Sequence, residues 1–466
     1  RDQPSKAAGG EQYGFLYRNP KQPWRDQDEE YVLDNVPVSW VLETESGRKL
    51  TSTGQKKKPQ PVHVDTRGEI TTGAGDGTRF HYIAQPFPFC LNCGVSYNWR
   101  LRSDYGKLSL LSAGGRSTAT TILSLAILRA LQEDEALPEE ARKLLTFTDN
   151  RQDASLQAGH FNDFVQVGLL RSALYKALEA SGEDGLEHDE LPQAVFKALG
   201  LDFKEYATED VKYGRKKFQK ALREVLAYRL FRDLRQGWRV TAPNLEQSGL
   251  LKIQYEYLHQ LCADEEEWEG VHPALAQASP EAREEVADTL LDYLRRELAI
   301  KVDFLRPEYQ DQIRYRSNQH LKLPWAIDEG ERMTSSTVAY PSTQSAISGQ
   351  QRYENIYVSE YGSFGQYLRR GSTFPHHHSK LTMEETRDII GQLLEILPKA
   401  ALIEKVREEE DVHGQAVPGM QVPAAGFVWK AADGTVPFHD RIRVPRAPEE
   451  GSSTNEYFVE FYRNVA

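Results

Sequence analysis

Short alternating runs dominate the first 110 residues of this chain. Val36-Pro37-Val38-Ser39-Trp40-Val41-Leu42 and Pro61-Val62-His63-Val64-Asp65 interleave apolar and polar positions between turn-rich stretches, which predicts short strands. Lys56-Lys57-Lys58 and Gly73-Ala74-Gly75-Asp76-Gly77 read as exposed loops, and those glycines lack the Gly-x-Gly-x-x-Gly spacing of a dinucleotide turn. From Gly115 the period changes. Ser117 can cap a helix running to about Gln132, with Ile122, Leu125, Ala126, Arg129 and Ala130 at helical spacing. Leu137-Pro138 breaks it, and Leu144-Leu145-Thr146-Phe147-Thr148 follows as an expected buried strand. Asp149 then caps a second helix, with Gln152 at the capping-box position and Phe161, Phe164, Val165, Leu169, Leu174 and Leu178 as its apolar stripe. Helix, buried strand, capped helix is the order of a parallel α/β layer.

Residues 180–378 read as a mainly helical, charged region. One predicted helix spans Asp210 to Gln236, with Phe218, Leu222, Val225, Leu226 and Leu230 on one face and eight cations around the remainder, Lys216, Lys217 and Lys220 among them. Another covers Pro280 to Ile300, and Thr334 to Gln351 reads as a loop. Thr382-Met383-Glu384-Glu385 opens a helix carrying Ile389, Ile390, Leu393, Leu394 and Leu397. Ala401–Val406 and Gly426–Lys430 then read as strands on either side of a charged tip, the sequence shape of a winged helix. Tyr457-Phe458-Val459-Glu460-Phe461-Tyr462 is predicted to be a closing strand.

Length and charge change this picture modestly. The 466 residues suggest about three domains. With 57 Lys+Arg against 69 Asp+Glu the net charge is −12, which argues against a nucleic-acid-coating protein while allowing a local basic face. No run approaches the roughly 18–20 apolar residues of a membrane span. The opening Arg1-Asp2-Gln3-Pro4 carries neither an initiator Met nor a secretory leader. Three cysteines, two of them as Cys90-x-x-Cys93, fit a reducing compartment, so a cytoplasmic protein without a membrane partner is expected.

Cys90-Leu91-Asn92-Cys93-Gly94 has the shape of a zinc knuckle, but structural zinc takes four ligands and no second Cys-x-x-Cys exists. His63 and His81 would have to complete a Zn2+ site; the competing readings are a pair of packed, reduced cysteines or a degenerate knuckle that has lost its metal. Ser112-Ala113-Gly114-Gly115-Arg116-Ser117-Thr118 lacks the Lys of a Walker loop, so it reads as a helix N-terminus. His376-His377-His378 has no carboxylate or thiolate beside it at ligand spacing and reads as a solvated loop.

The run Lys143 to Ala154 resembles motif IV of superfamily 2 DEAD/DEAH-box helicases, and Ser155 to Phe164 resembles its continuation in large bacterial helicases of defence and repair loci. Cys90–Gly94 and Gly115–Thr121 are similar to the stretch preceding that motif, Leu381–Gly434 to an inserted winged helix, and Asn455–Phe458 to the return into the RecA-like domain. The resemblance implies a fold of α/β plus α class: an incomplete RecA-like lobe, a β-rich N-terminal region, a long helical insertion and a winged-helix-like unit. Its divisions are 1–110, 111–179, 180–378, 379–445 and 446–466. It implies part of an ATP-dependent DNA helicase or translocase in antiviral defence, gripping DNA or RNA, with ATP and Mg2+ bound only by the complete protein. The remainder of the helicase or a companion subunit would be the protein partner. By that resemblance Thr148, Asp149, Arg151 and Gln152 would lie near phosphate; Lys216, Lys217 and Lys220 are further nucleic-acid candidates, read from the cation excess of the helix Asp210 to Gln236. Walker and arginine-finger motifs are missing, so this segment is expected to be inactive as an ATPase. The alternative is a scaffold or adaptor that binds protein partners or DNA.

Overall fold

The computed structural model describes residues 14–20, 23–37, 40–44, 47–71, 77–91, 96–97, 116–145, 151–235, 243–328, 330–342, 355–411, 414–442 and 454–465; at 34, 43–44, 47–48, 71, 116–119 and 151–163 the description is of the backbone. The chain divides into two compact units, Arg1–Ser112 with Asp440–Ala447, and Ala113–His439 with Pro448–Ala466. The fold is mixed α/β, with several small sheets.

In chain order the first unit contains β1 (Gly14–Tyr17), α1 (Glu29–Asn35), β2 (Val41–Thr44), β3 (Gly47–Leu50), α2 (Ser52–Lys57), β4 (Gln60–Val64), β5 (Ile70–Thr71) and β6 (Thr78–Ala84). Four strands form an antiparallel sheet in the order β1-β6-β4-β5, and β2 and β3 make a separate hairpin. Where alternation predicted one strand over Val36–Leu42, helix α1 runs to Asn35 and extended structure begins at Val41. The cause is local: Asp28 caps α1 by accepting the Tyr31 N–H at 3.0 Å, and Val32 and Val36 (i, i+4) then face one core. That core gathers Trp24, Val32, Val36, Trp40, Ile83, Phe87, Phe89 and Leu91.

The second unit contains α3 (Arg116–Glu133), α4 (Arg151–Ser181), α5 (Leu191–Leu199), α6 (Phe203–Tyr206), α7 (Arg215–Asp233), β7 (Leu251–Tyr255), α8 (Leu258–Ala263), α9 (Pro273–Ala276), α10 (Pro280–Arg296), β8 (Ile300–Lys301) and α11 (Pro307–His320). It continues with β9 (Val338–Tyr340), β10 (Asn355–Tyr357), α12 (Ser363–Leu368), α13 (Met383–Ile396), β11 (Glu404–Glu410), β12 (Ala416–Pro423), β13 (Phe427–Ala431) and α14 (Glu456–Asn464). Helix α7 lies at the centre of this unit. From Ala221 to Leu222 and again from Glu224 to Phe231 every residue is buried, so it is enclosed on all sides rather than along one stripe.

Three sequence expectations are corrected here. The region 379–445 is not a self-contained winged helix: β11 and β12 do form a hairpin, but β12 also pairs with β8 and β9, and β13 pairs antiparallel with β7. The run Tyr457–Tyr462 is helical, because Phe458, Phe461 and Tyr462 recur at i, i+3 and i+4 and bury one face. Leu145, expected in a buried strand, is 81% exposed and lies outside any strand; Thr146–Thr148 fall outside the described residues.

Candidate functional site

Within the first unit, α1, α2 and β4 enclose a cleft of about 270 Å³. Its floor is apolar, made by Trp24, Val32, Leu33, Leu50, Pro59 and Pro61, and its rim carries Asp26, Gln27, Glu29, Gln55, Lys58 and Gln60. The sequence builds this shape through anchors. Trp24 is buried and packs edge-on to Tyr31 (centroids 5.3 Å apart) and tilted against Phe89 (5.7 Å), which fixes the loop leading to α1. Thr51 caps α2 by accepting the Gly54 N–H at 3.0 Å. At Gly54 an added Cβ would lie 2.9 Å from both the Cβ and the carbonyl oxygen of Trp40, so only glycine lets α2 approach this closely.

Asp26, at the rim, is tied to the sheet. Arg79 and His81 are two residues apart on β6 and therefore share a face. The Arg79 guanidinium donates to both oxygens of Asp26, at 2.7 and 3.0 Å, and His81 Nε2 lies 3.4 Å from Oδ1. Burial pushes the His81 imidazole below its ordinary value, and Asp26 opposes that shift. Both bonds come from Nη2, and they occupy Asp26, which serves as a pin rather than a free acid. Gln60 donates from Nε2 to the Lys58 carbonyl at 3.2 Å, which orders the opposite wall.

Among the described residues that line the cleft there is no Ser, Thr, Cys, Tyr or His. What converges is an apolar floor and three glutamine amides, each able to donate and accept. An apolar floor with a few convergent polar groups is the general character of a small-molecule pocket.

The residues singled out from the sequence lie elsewhere. Thr148 and Asp149 are outside the described residues, and Arg151 and Gln152 open the backbone of α4. Cys90 packs against the first unit's core, Cys93 lies outside the described residues, and among the described residues no group of three or more His, Cys, Asp or Glu could hold a metal ion. His81 instead faces Asp26. Lys216, Lys217 and Lys220 are exposed in the first turns of α7; Lys220 lies 3.9 Å from Glu224, and Lys217 sits over the Phe218 ring at 5.2 Å. Further along the same helix the cations turn inward. Arg223 donates to Gln193 at 2.6 Å, Arg229 to the Ala326 carbonyl at 3.2 Å, and Arg232 pairs with Glu331 at 2.5 Å. The local count of acids missed these partners because they come from other elements. None of the lining residues was a candidate site residue from the sequence, which named only the nearby His81, and that for zinc; the pairing of Asp26 with Arg79 spans 53 positions and leaves no local signal.

No family model matches the chain, and no solved structure matches it. A curated protein named phosphate acyltransferase, from Gloeothece citriformis (strain PCC 7424), is 29% identical over 133 residues, which is 28% of this chain and 35% of that protein. The chain thus spans about a third of the length of the curated relative it matches. This finding corrects the helicase resemblance: the similarity found is to an acyltransferase, and nothing found supports a helicase, a DNA grip or a defence role. Among the described residues no helix is long and apolar enough to cross a membrane.

Proposed function

We propose that the N-terminal unit is a binding module whose cleft takes a small, uncharged ligand with an apolar body and a hydrogen-bonding edge. The observation that carries this reading is the placement of Gln27, Gln55 and Gln60 around the floor of Trp24, Val32, Leu33 and Leu50. Electrostatics support the choice of an uncharged ligand. Asp26 is occupied by Arg79, and the remaining charged lining residues, Glu29 and Lys58, are of opposite sign, so the lining carries no cluster of like charge. Saturation-transfer NMR with an uncharged fragment set tests it, with inorganic phosphate and acetyl phosphate in the same set. Amide-bearing fragments should bind the wild-type protein and be lost from Gln55→Trp, whose indole fills the cleft. Fragment binding that survives Gln55→Trp would remove the cleft from consideration.

The similarity to a phosphate acyltransferase favours a second reading, in which the chain handles acyl or phosphate groups. A melting temperature that rises with inorganic phosphate or acetyl phosphate, and does so equally in Gln55→Trp, would support that reading at a site other than this cleft.

A further inference from the structure

Three elements of the second unit bring exposed lysines into one neighbourhood. The ends of α6 and α11 meet through an antiparallel bridge between Ala207 and Leu321. Beside it the Thr208 N–H donates to the His320 carbonyl at 3.1 Å, and the Lys322 N–H to the Tyr206 carbonyl at 2.9 Å. The start of α7 closes on the same pair. Phe218 packs against the His320 ring with centroids 4.9 Å apart, and the Arg215 guanidinium lies 4.5 Å from the centre of the Phe203 ring. Lys204, Lys212, Lys216, Lys217, Lys220 and Lys322 are thereby gathered, all of them exposed.

Nearby acids do not balance them. Asp210 is shared by Lys204 and Arg215, at 3.4 and 3.7 Å, and Glu224, which Lys220 approaches, is held by Arg316 at 2.6 Å. Asp202 and Glu205 are engaged in the capping box of α6, which leaves Glu209. Among the described residues Lys212, Lys216, Lys217 and Lys322 have no acid within ion-pair distance. Two apolar side chains stand among these cations. Tyr213 is 91% exposed at the tip of the loop before α7, where Gly214 turns the chain at a φ of 77°, a conformation that favours glycine. Leu323, next to Lys322, is 66% exposed.

The mixture decides the chemistry of the partner. Phosphodiester recognition favours planar arginine forks, and the one arginine here already lies on Phe203 and beside Asp210. Lysines are compact charges on flexible stems, which suit a diffuse negative potential and can hold their ammonium groups in water while apolar neighbours sink deeper. Tyrosine settles at the headgroup level of a bilayer, and an exposed leucine gains free energy only where it can leave water. We propose that this face docks on the surface of an anionic bilayer, with the lysines against the headgroups and Tyr213 and Leu323 entering the interface. The chain as a whole carries a net charge of −12 and is repelled by such a surface, so docking is confined to this face and weakens with salt.

Cosedimentation of the full chain with sucrose-loaded vesicles tests it. Wild-type protein should bind phosphatidylcholine vesicles that carry phosphatidylserine and should not bind pure phosphatidylcholine. Raising salt from about 0.1 to about 1 M, which shortens screening from about 10 to about 3 Å, should release it. Lys212→Ala/Lys216→Ala/Lys217→Ala should bind about a hundred-fold more weakly, about five-fold for each lysine. Tyr213→Ser/Leu323→Ser should also weaken binding. Lys56→Ala/Lys57→Ala, which removes exposed lysines of the first unit, should leave it unchanged. A duplex oligonucleotide is titrated in parallel by fluorescence anisotropy. No binding to the phosphatidylserine vesicles, equal binding to the neutral ones, or an unchanged triple or double variant at the proposed face would each overturn the proposal. So would an equal loss in the first-unit variant, or oligonucleotide binding by a protein that leaves the vesicles unbound. The comparison of two lipid compositions uses the wild type alone, so it decides the matter even if a variant fails to fold.

Discussion

Arg295→Met is expected to be among the most damaging single changes in the second unit. The Arg295 side chain is fully buried, and it donates to Glu246 at 2.7 and 2.9 Å, to Asp292 at 2.7 Å and to the Tyr255 hydroxyl at 3.1 Å. Tyr255 donates in turn to Asp292 at 2.9 Å. Burial works against the guanidinium charge, but Glu246, Tyr255 and Asp292 outweigh it and hold the group charged. Methionine approximates the volume and removes the cation, leaving two buried carboxylates facing each other. Removing one partner of a buried pair costs about 3–5 kcal/mol. At about 2 °C per kcal/mol for a large domain, the melting temperature should fall roughly 6–10 °C. A pH signature separates this from simple repacking. Without Arg295, one carboxylate is more basic in the folded state than in the unfolded chain, so the folded state binds more protons and the variant gains stability as pH falls. Denaturation of wild type and variant at pH 5.5 and 8 measures both effects. A loss below about 1 kcal/mol, or an equal loss at the two pH values, would refute the claim that the charge balance of this cluster matters.

Gly54→Ala should misplace α2 against Trp40 and weaken fragment binding in the cleft, read by saturation-transfer NMR, because its Cβ would meet backbone as well as side chain. Tyr462→Phe should cost about 1–3 kcal/mol by chemical denaturation, since the Tyr462 hydroxyl accepts from Arg171 at 2.7 Å and donates to the Pro243 carbonyl at 2.7 Å in a buried setting. His81 supplies a pH dependence for the first unit. Its value is lowered on folding, so the stability linked to its neutral form is complete above about pH 6.5 and is lost as pH falls from there through the lowered value. His81→Gln should flatten that slope in thermal denaturation, and an unchanged slope would assign it to other groups.

Elements with local signals were legible in the sequence. Helix α13 begins where Thr382 and Glu385 predicted it, with the Glu385 N–H donating to Thr382 at 3.2 Å and the Thr382 N–H donating to Glu385 at 2.7 Å. Helix α10 likewise opens at Pro280, capped by Ser279 at 3.3 Å. Strand partners were not legible, because β13 finds β7 across a long intervening segment of helices and other strands, and nothing in Phe427–Ala431 names that partner. The C-terminal run shows tertiary packing overriding propensity. Its aromatics favour a strand, yet as a helix they set Phe461 against α4 at Gly168, where an added Cβ would lie 2.7 Å from the ring. The cleft was invisible for the same reason as the pairing: Asp26, in the loop before α1, meets Arg79 and His81 of β6 across more than fifty positions.

The basic character of α7 shows why counting nearby charges misleads. Beyond its first turn, Arg223, Arg229 and Arg232 answer to residues remote in sequence, and the acids on the same helix are claimed from outside: Glu224 by Arg316 at 2.6 Å, and Asp233 by Arg171 at 2.6 Å. The wider pattern is a division of labour between the two cation types. Arg171, Arg283 and Arg295 are fully buried, and each joins a carboxylate to a further backbone or hydroxyl oxygen on another segment. Their planar forks satisfy several acceptors at once with one desolvated charge, which an ammonium at the same depth cannot match. Lys216, Lys217 and Lys220 stay at the exposed start of α7, where the helix dipole disfavours a cation and water supports it. On α7 the inward-turned arginines beyond the first turn thus cross-link distant segments. An excess of lysine marks the end left in solvent.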